Sequence, residues 1–383
     1  MTHSSNELLQ DSKISHVSHR GLNAFFVKKI IFFIKVFNLI ENKGLDAFLI
    51  KGADNIFYLS GFRGSEATLI VTRGDVILLT DFRYITYARD IAQGIIIEEV
   101  SWKKNLLEEI CGRYSIKKIG FDCINTTYFM YSRWRETVKN VDFIPIEDEI
   151  ERIRTHKEPD EIDTILKAVD IATKAFIDVL ERICPGKTEK QIANEIDYAM
   201  QTLGAEGPSF DTIVASGTRA ALPHAVPTDK EINDGDAVII DFGAIFEGYC
   251  SDETCTVLIG ETNSKLKDIY KIVNDARILG LERVMPGASI KELDSVVRSF
   301  INDAGYGEYF RHGVGHGVGI AVHEPPAING SSEGILEENM IITIEPGIYL
   351  PNVGGVRLED MLLVTKNGSK VLTSIRKDIL NIK

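Results

Sequence analysis

A two-copy internal repeat in the second half of the chain places the strongest constraint on its fold. Residues 180–187, LERICPGK, reappear as residues 281–288, LERVMPGA, at an offset of 101 residues. Further along, residues 240–243, IDFG, resemble residues 344–347, IEPG, at an offset of 104 residues. A solenoid needs three or more stacked repeats. Two copies of about a hundred residues each therefore predict one domain with pseudo-twofold symmetry.

Each copy has the pattern of a helix, a Pro-Gly turn, a second helix and a β-hairpin that carries two acidic residues. Two such hairpins, facing each other across the pseudo-twofold axis, would bring Asp241 and Asp252 opposite Glu345 and Glu359. Because carboxylates can bridge neighbouring cations, this arrangement predicts a site for a pair of divalent metal ions.

The glycine-rich run HGVGHGVG, residues 312–319, adds His316 to this set. Its glycines would let the backbone approach a ligand closely, and histidine is the commonest metal-ligating side chain. Asp241 and Glu345 each end an apolar run typical of a buried strand, where a carboxylate is costly unless it is hydrogen-bonded or bound to a metal. Taken singly, Asp241 is more typical of a turn and Glu359 of a solvated hairpin. The ordered set of five favours a metal site.

The length of 383 residues indicates two domains, because single hydrophobic cores stop growing below this size. Strand-like runs alternate with helical runs up to about residue 145, which is the pattern of an α/β domain. A charged stretch at residues 147–163 then leads into a long helix. We predict a disordered tail over residues 1–24, an N-terminal domain over residues 25–148 and a second domain over residues 149–383.

Charge, hydropathy and cysteine usage exclude several classes of protein. The formal net charge of −13 argues against a nucleic-acid-binding protein that neutralises phosphates. Residues 25–40 have apolar side chains at helical spacing, but three lysines interrupt them, so this helix is too short and too charged to span a bilayer. Five cysteines without metal-type spacing indicate free thiols in a reducing compartment. We therefore expect a cytoplasmic protein with neither a nucleic-acid nor a membrane partner.

Several motifs resemble those of a known family, the pita-bread (creatinase/methionine aminopeptidase) metallopeptidases. The similar segments are residues 241–243 (DFG), 251–254 (SDET), 312–324 (HGVGHGVGIAVHE), 344–349 (IEPGIY) and 355–360 (GVRLED). Within the family they are most similar to the motifs of Xaa-Pro peptidases, namely prolidase (Xaa-Pro dipeptidase) and aminopeptidase P. The resemblance implies an α/β (α+β) fold, with a creatinase-like N-terminal α/β domain followed by a pseudo-twofold pita-bread catalytic domain.

The resemblance also implies how metal ions would be held. Asp252 and Glu359 would bridge two divalent ions, with Asp241 on one ion and His316 and Glu345 on the other. Glu345 would also act as general base toward a metal-bridging water, which becomes the attacking hydroxide. Oxygen-rich ligation with one imidazole suits Mn²⁺, Co²⁺, Fe²⁺ or Zn²⁺, and we favour Mn²⁺.

Four further residues match family positions around this site. His224, His312 and His323 are expected to donate hydrogen bonds to the oxyanion that develops on the scissile carbonyl, an effect of about 3 kcal/mol per donor. Arg357 shares a strand face with Glu359 and is expected to pair with a neighbouring carboxylate, which would steady the ligands.

The sequence departs from the family pattern at two places. Many prolidases carry an arginine shortly after the His-Glu pair, where it binds the free carboxylate of a dipeptide, but no Arg or Lys occurs between residues 323 and 345. Arg63, in the N-terminal domain of a partner subunit, is the alternative cation, or else the enzyme accepts longer peptides. Cys255 stands where the family's Thr-Arg-Thr motif has its arginine, which predicts a change in ion pairing beside the ligands.

These features predict a metallo-exopeptidase that hydrolyses the bond between an N-terminal residue and a following proline, in Xaa-Pro dipeptides or in longer peptides. Because that bond lacks an N–H, a dedicated site is reasonable. The alternatives are a creatinase-like amidinohydrolase, which uses no metal, a non-catalytic peptide-binding protein on the same fold, and a methionine aminopeptidase, which needs no preceding domain. The complete ligand set argues against the first two. Family members are commonly dimers, so a homodimer is expected.

Overall fold

The structure of the protein is a computed structural model that describes residues 24–101, 105–378 and 380–382. The chain divides into two compact units between Ile150 and Glu151. The predicted tail lies outside the described residues except for Ala24, which begins the first helix. Within the described ranges, no helix combines the length and the apolar character that crossing a bilayer requires.

The N-terminal unit is built on one mixed sheet. Its strands are β1 (Ala47–Ile50), β2 (Ala67–Thr72), β3 (Val76–Thr80), β4 (Ile96–Glu99), β5 (Lys118–Asp122) and β6 (Asp142–Ile146). Its helices are α1 (Ala24–Asn42), α2 (Ala53–Ser60), α3 (Ile85–Ile91), α4 (Leu106–Arg113) and α5 (Tyr128–Thr137). The strand order is β4-β3-β2-β1-β5-β6, with β1, β2 and β3 antiparallel and the other pairs parallel. The predicted α/β alternation is therefore present.

The C-terminal unit contains most of the remaining elements. Its helices are α6 (Glu149–Thr155), which crosses the division, α7 (Pro159–Leu180), α8 (Glu189–Thr202), α9 (Ser264–Arg283) and α10 (Ile290–Asp303). Its first strands are β7 (Gly207–Pro208), β8 (Ile213–Ser216), β9 (Ala237–Phe242), β10 (Ala244–Phe246), β11 (Tyr249–Cys250) and β12 (Glu253–Ile259). Its later strands are β13 (Gly315–Gly317), β14 (Glu324–Ile328), β15 (Ile341–Ile344), β16 (Gly347–Leu350), β17 (Gly354–Arg357), β18 (Asp360–Thr365), β19 (Gly368–Val371) and β20 (Leu380–Ile382).

The internal repeat appears as two matching helical hairpins, α7–α8 and α9–α10. The Pro-Gly turns place Gly186 and Gly287 at φ values of 89° and 84°, in the left-handed region that favours glycine. After each turn, Thr188 or Ser289 caps the second helix by accepting a hydrogen bond from a backbone amide in its first turn. The two copies therefore share their local geometry as well as their sequence.

Each copy builds its own core from two helices and one sheet. α7 and α8 pack on the sheet β20-β12-β9-β8, where Phe176 stacks on Phe242 with ring centroids 5.1 Å apart. α9 and α10 pack on the sheet β14-β13-β15-β18-β19. Because the predicted ligands lie on strands of both sheets or beside them, both copies must fold before the ligands can meet.

Candidate metal centre

The five predicted ligands lie in these strands or at their ends. Asp241 is in β9, and Asp252 directly precedes β12, the antiparallel partner of β9. His316 is the middle residue of β13, Glu345 directly follows β15, and Glu359 separates β17 from β18. Strand ends of both repeat copies thus supply the acidic side chains, as the sequence pattern predicts.

Three of these residues are close enough to share an ion. One ligand atom from each of Asp252, His316 and Glu359 lies within 4.8 Å of the other two. Nε2 of His316 is 3.5 Å from Oδ2 of Asp252 and 3.4 Å from Oε1 of Glu345. The other ring nitrogen, Nδ1, is 3.0 Å from the carbonyl oxygen of Gly317. A proton on Nδ1 makes that hydrogen bond and leaves the Nε2 lone pair facing the carboxylates.

Asp241 is held at this cluster by Arg357. Nη2 of Arg357 donates a hydrogen bond to Oδ2 of Asp241 at 2.7 Å, and the arginine side chain is 4% exposed. The second oxygen, Oδ1, is buried and has no hydrogen-bond partner among the described residues. Arg357 also donates from Nε to Thr254 Oγ1, whose hydroxyl in turn donates to Glu359 Oε2 at 2.8 Å. The predicted pairing of Arg357 with a neighbouring carboxylate is therefore observed.

Three of the buried carboxyl groups have too little positive charge around them to keep their ordinary pKa values. Burial raises the pKa of Asp252 and of Glu359 well above the ordinary values, and repulsion from neighbouring carboxylates raises both further. Burial likewise raises the pKa of Glu345 to about 8, although Arg357 opposes the shift. Burial lowers the pKa of His316 to about 4, so the imidazole is neutral and able to ligate.

The donor set fits divalent cations. Four carboxylates and one neutral imidazole suit ions that prefer oxygen with some nitrogen. Among the described residues, the buried Oδ1 atom of Asp241 has no hydrogen-bond donor. Positive charge at the centre of the carboxylates would also relieve their mutual repulsion. The residues present therefore fit the metal ions that the ligand pattern predicts.

A cavity of about 820 Å³ in the C-terminal unit opens onto this cluster. Its walls include all five predicted ligands together with Arg357, His224, His312 and His323. The ring of His323 lies edge-on to that of His316, with centroids 4.4 Å apart. His224 and His323 are exposed, as a group that meets a substrate must be.

His312 differs from the other two because both of its ring nitrogens have partners. Nδ1 is 2.8 Å from the carbonyl oxygen of Gly313, and Nε2 is 2.9 Å from the hydroxyl of Tyr349. Burial lowers the pKa of His312 to about 4, so the ring is neutral. Nδ1 therefore donates to Gly313, and Nε2 accepts from Tyr349. In this state no ring proton of His312 is available to a substrate.

Two side chains, Tyr349 and Lys377, make contacts near the ligands that were not predicted from the sequence. The hydroxyl of Tyr349 accepts a hydrogen bond from Nη1 of Arg357 at 3.0 Å and so links that arginine to His312. The ammonium of Lys377 lies 3.1 Å from the buried thiol of Cys255 and 2.5 Å from Oε1 of Glu253. A lysine distant in sequence thus places a cation beside Cys255, the residue that stands where the family motif has an arginine. The five cysteines are free thiols, as predicted.

Arg63 lies in the N-terminal unit, where its guanidinium is 4.2 Å from the ring centroid of Phe57. Its role toward a substrate carboxylate stays a prediction.

Known proteins resemble this chain over most of its length. Residues 163–366 match metallopeptidase family M24, and residues 35–156 match the creatinase/prolidase N-terminal domain. A Pyrococcus horikoshii protein named Xaa-Pro dipeptidase is 41% identical over 350 residues, which cover 90% of this chain and 97% of that protein. The relatives therefore share both units of the chain.

Solved structures also resemble this chain over most of its length. A structure described as Xaa-Pro dipeptidase from Bacillus anthracis is 37% identical with a TM-score of 0.89, and covers 92% of this chain and 100% of that one. The X-Pro aminopeptidase from Thermotoga maritima is 37% identical with a TM-score of 0.86, and covers 91% and 99%. The predicted fold class and family resemblance are confirmed. The chain belongs to metallopeptidase family M24, and it is a metallopeptidase that carries a creatinase/prolidase N-terminal domain.

Proposed function

We propose that this metallopeptidase removes an N-terminal residue that is followed by proline. The observation that carries the proposal is the convergence of four acidic side chains and His316 on one cavity, with no member of the ligand set missing. The names of the relatives, Xaa-Pro dipeptidase and X-Pro aminopeptidase, support the choice of substrate class. An amidinohydrolase that uses no metal would not require this ligand set.

The proposed centre holds two divalent ions. Asp252 and Glu359 would bridge them, Asp241 would bind one ion, and His316 and Glu345 would bind the other. We propose Mn²⁺, because oxygen ligands dominate the set. When bound, the ions would lower the pKa of a water molecule and polarise the scissile carbonyl.

Glu345 is the proposed general base. Its carboxylate lies on the cavity wall, with Oε2 3.9 Å from Nδ1 of His312. Without metal ions, burial raises the pKa of this carboxyl group to about 8, so that it holds a proton at neutral pH. With metal ions bound it would be ionised and could accept the proton of the attacking water. Neighbouring cations would lower that pKa, so Glu345 would pass the proton on to the nitrogen of the departing proline.

The histidines have different proposed roles. His224 and His323 are exposed on the cavity and would donate hydrogen bonds to the scissile carbonyl oxygen. His312 would shape the cavity and hold Tyr349, because its own nitrogens are already bonded. Arg357 would keep Asp241 in place.

We propose a peptide as the substrate and a homodimer as the assembly, in the cytoplasm, with neither nucleic acid nor membrane as a partner. A dimer would allow Arg63 of one subunit to reach the cavity of the other, where it would bind the carboxylate of a dipeptide.

The experiment pairs an Xaa-Pro dipeptide with an Xaa-Pro-Xaa tripeptide, each assayed after metal removal and again after addition of Mn²⁺. Cleavage of the dipeptide, dependent on Mn²⁺, supports a prolidase in which a cation binds the free carboxylate of the dipeptide. Cleavage of the tripeptide alone supports an aminopeptidase that needs no such cation. Cleavage of neither peptide by metal-loaded protein, or undiminished cleavage by an Asp241→Asn variant, would contradict it.

A further inference from the structure

One buried carboxylate outside the metal centre binds both ends of the loop that carries His224. Glu189, the first residue of α8, is fully buried. Its Oε1 accepts hydrogen bonds from the amide of Ser216 at 2.8 Å and from the Ser216 hydroxyl at 3.0 Å. Its Oε2 accepts from the amide of Thr228 at 3.0 Å and from the Thr228 hydroxyl at 2.8 Å. One carboxylate thus joins both ends of residues 216–228, the His224 loop.

Arg219 extends this contact into the loop. Its Nε is 3.2 Å from Oε1 and 3.0 Å from Oε2 of Glu189, so the same carboxylate also fixes the guanidinium. Its Nη2 donates to the carbonyl oxygen of Val226 at 2.6 Å. The peptide just beyond His224 is therefore tied to Glu189 through one arginine.

The other side of His224 is tied to the metal centre. Nη1 of Arg357 donates to the carbonyl oxygen of Pro223 at 2.9 Å, while Nη2 binds Asp241. The imidazole of His224 is exposed and, among the described residues, makes no hydrogen bond or ring contact of its own. The position of the ring is therefore set by the backbone on each side of it.

The Glu189 carboxylate is charged in this setting. Burial alone would raise its pKa, but hydrogen bonds from Ser216 and Thr228 outweigh burial and hold the pKa below its ordinary value. An ionised oxygen accepts hydrogen bonds more strongly than a neutral one. The arrangement thus resists opening at neutral pH.

We propose that Glu189 is a positioning residue for His224, because its carboxylate holds the His224 loop where the exposed imidazole can meet the substrate carbonyl. The inference rests on the proposed function, in which His224 contacts the substrate. Glu189 would touch neither the metal ions nor the peptide and would act through the loop alone.

The test is a double-mutant cycle with Glu189→Gln and His224→Ala, assayed with Mn²⁺ on whichever of the two peptides the wild-type protein cleaves. Glutamine keeps the size of the side chain but turns one acceptor into a donor that faces the loop donors. We expect kcat to fall by about tenfold to a hundredfold, the effect of a misplaced catalytic group. In the His224→Ala background the same substitution should change kcat by less than about twofold.

Two further variants separate the loss of the loop contact from a general loss of structure. Glu195→Gln removes a carboxylate on the same helix that pairs with Arg182 and Lys187, each at 2.8 Å, and it should leave kcat unchanged. Arg219→Gln breaks the contact to Val226 while Glu189 keeps its other partners, and it should lower kcat in the same direction as Glu189→Gln.

Amide hydrogen exchange of the metal-free protein tests the loop without reference to activity. Glu189→Gln should accelerate exchange across residues 216–228 and leave α9 and α10 unchanged. Unaltered exchange across residues 216–228 would overturn the inference. So would a fall in kcat on Glu189→Gln that is equally large in the wild-type and His224→Ala backgrounds. If the wild-type protein cleaves neither peptide, the proposed function fails, and the catalytic part of this inference is overturned with it. The exchange result then reports on the loop alone.

Discussion

Arg357 joins three groups beside the candidate metal centre. Its guanidinium donates hydrogen bonds to the carboxylate of Asp241, to the hydroxyl of Tyr349 and to the carbonyl oxygen of Pro223. Through Tyr349 it also reaches His312. A displacement of any one of these groups is therefore passed to the others through a single side chain. Loss of a side chain that holds a metal ligand in place typically lowers metal affinity or activity by about tenfold to a hundredfold.

Tyr349→Phe tests this network without removing a ligand. The substitution deletes the hydroxyl that donates to His312 and accepts from Arg357. We expect kcat/KM at saturating Mn²⁺ to fall by about tenfold, with the metal content of the protein unchanged. Steady-state kinetics and elemental analysis measure the two quantities. Tyr198→Phe, at a tyrosine that is 74% exposed, is the matched control. Unchanged kcat/KM would show that the hydroxyl does not matter to the centre.

The perturbed side chains also predict how the metal-free protein responds to pH. Folding raises the pKa of Glu345 to about 8 and raises those of Asp252 and Glu359, so their contribution to stability is present at low pH and is lost as pH rises toward 8. Folding lowers the pKa of His312 and His316 to about 4, so their contribution is complete above the ordinary value of 6.5 and is lost as pH falls.

Of these five groups, only the carboxylates change their contribution to stability between pH 6.5 and pH 8. The melting temperature of chelator-treated protein should therefore fall across this window. With saturating Mn²⁺ the slope should flatten or reverse, because metal ions and protons compete for the same oxygens. Thermal melts at several pH values with and without chelator measure both slopes. A melting temperature that rises with pH in the metal-free protein would contradict the assignment of the perturbed carboxylates.

At the scale of elements, the close approach of β13 and β15 sets the position of His316. A Cβ atom on Gly315 would lie 2.7 Å from the carbonyl carbon of Thr343, so only glycine fits between the two strands. The hydroxyl of Thr343 accepts a hydrogen bond from the amide of His316 at 3.1 Å. A change in the spacing between β13 and β15 would therefore displace His316.

Gly315→Ala should destabilise the protein by about 1–3 kcal/mol, the usual cost of overpacking, and should weaken Mn²⁺ binding by displacing β13. Gly207→Ala is the matched control in the same unit, because a Cβ atom there meets nothing within 4 Å. Its effect should stay within about 0.5 kcal/mol. Denaturant midpoints and metal titration compare the two variants. Equal midpoints would mean that β13 can move aside without cost.

The elements and the positions of the five predicted ligands at strand ends were predictable because their signals are local. The repeat, the apolar runs that end in Asp241 and Glu345, and the glycines around His316 all lie within short stretches of sequence. Contacts between distant residues have no such signal, so the pairing of Lys377 with Glu253 emerges only from tertiary packing. The boundaries assigned to the two domains and the roles of the site residues stay predictions.

At the scale of the whole molecule, every predicted ligand belongs to residues 151–383, and none to the N-terminal unit. Metal binding should therefore stabilise one unit directly. In calorimetry, Mn²⁺ should raise the melting temperature of one transition and leave a second transition nearly unchanged. Asp241→Asn should abolish that shift. A uniform shift of all transitions in the wild-type protein would mean that the two units melt as one.

The order of the ligands along the chain decides when a ribosome has delivered a complete centre. Asp241 and Asp252 are synthesised first, His316 follows, and Glu359 appears only after β17. A chain that stalls before β15 would carry both aspartates and His316 but neither glutamate. Such a fragment would lack two of the five predicted ligands, so the full ligand set exists only once translation has passed Glu359.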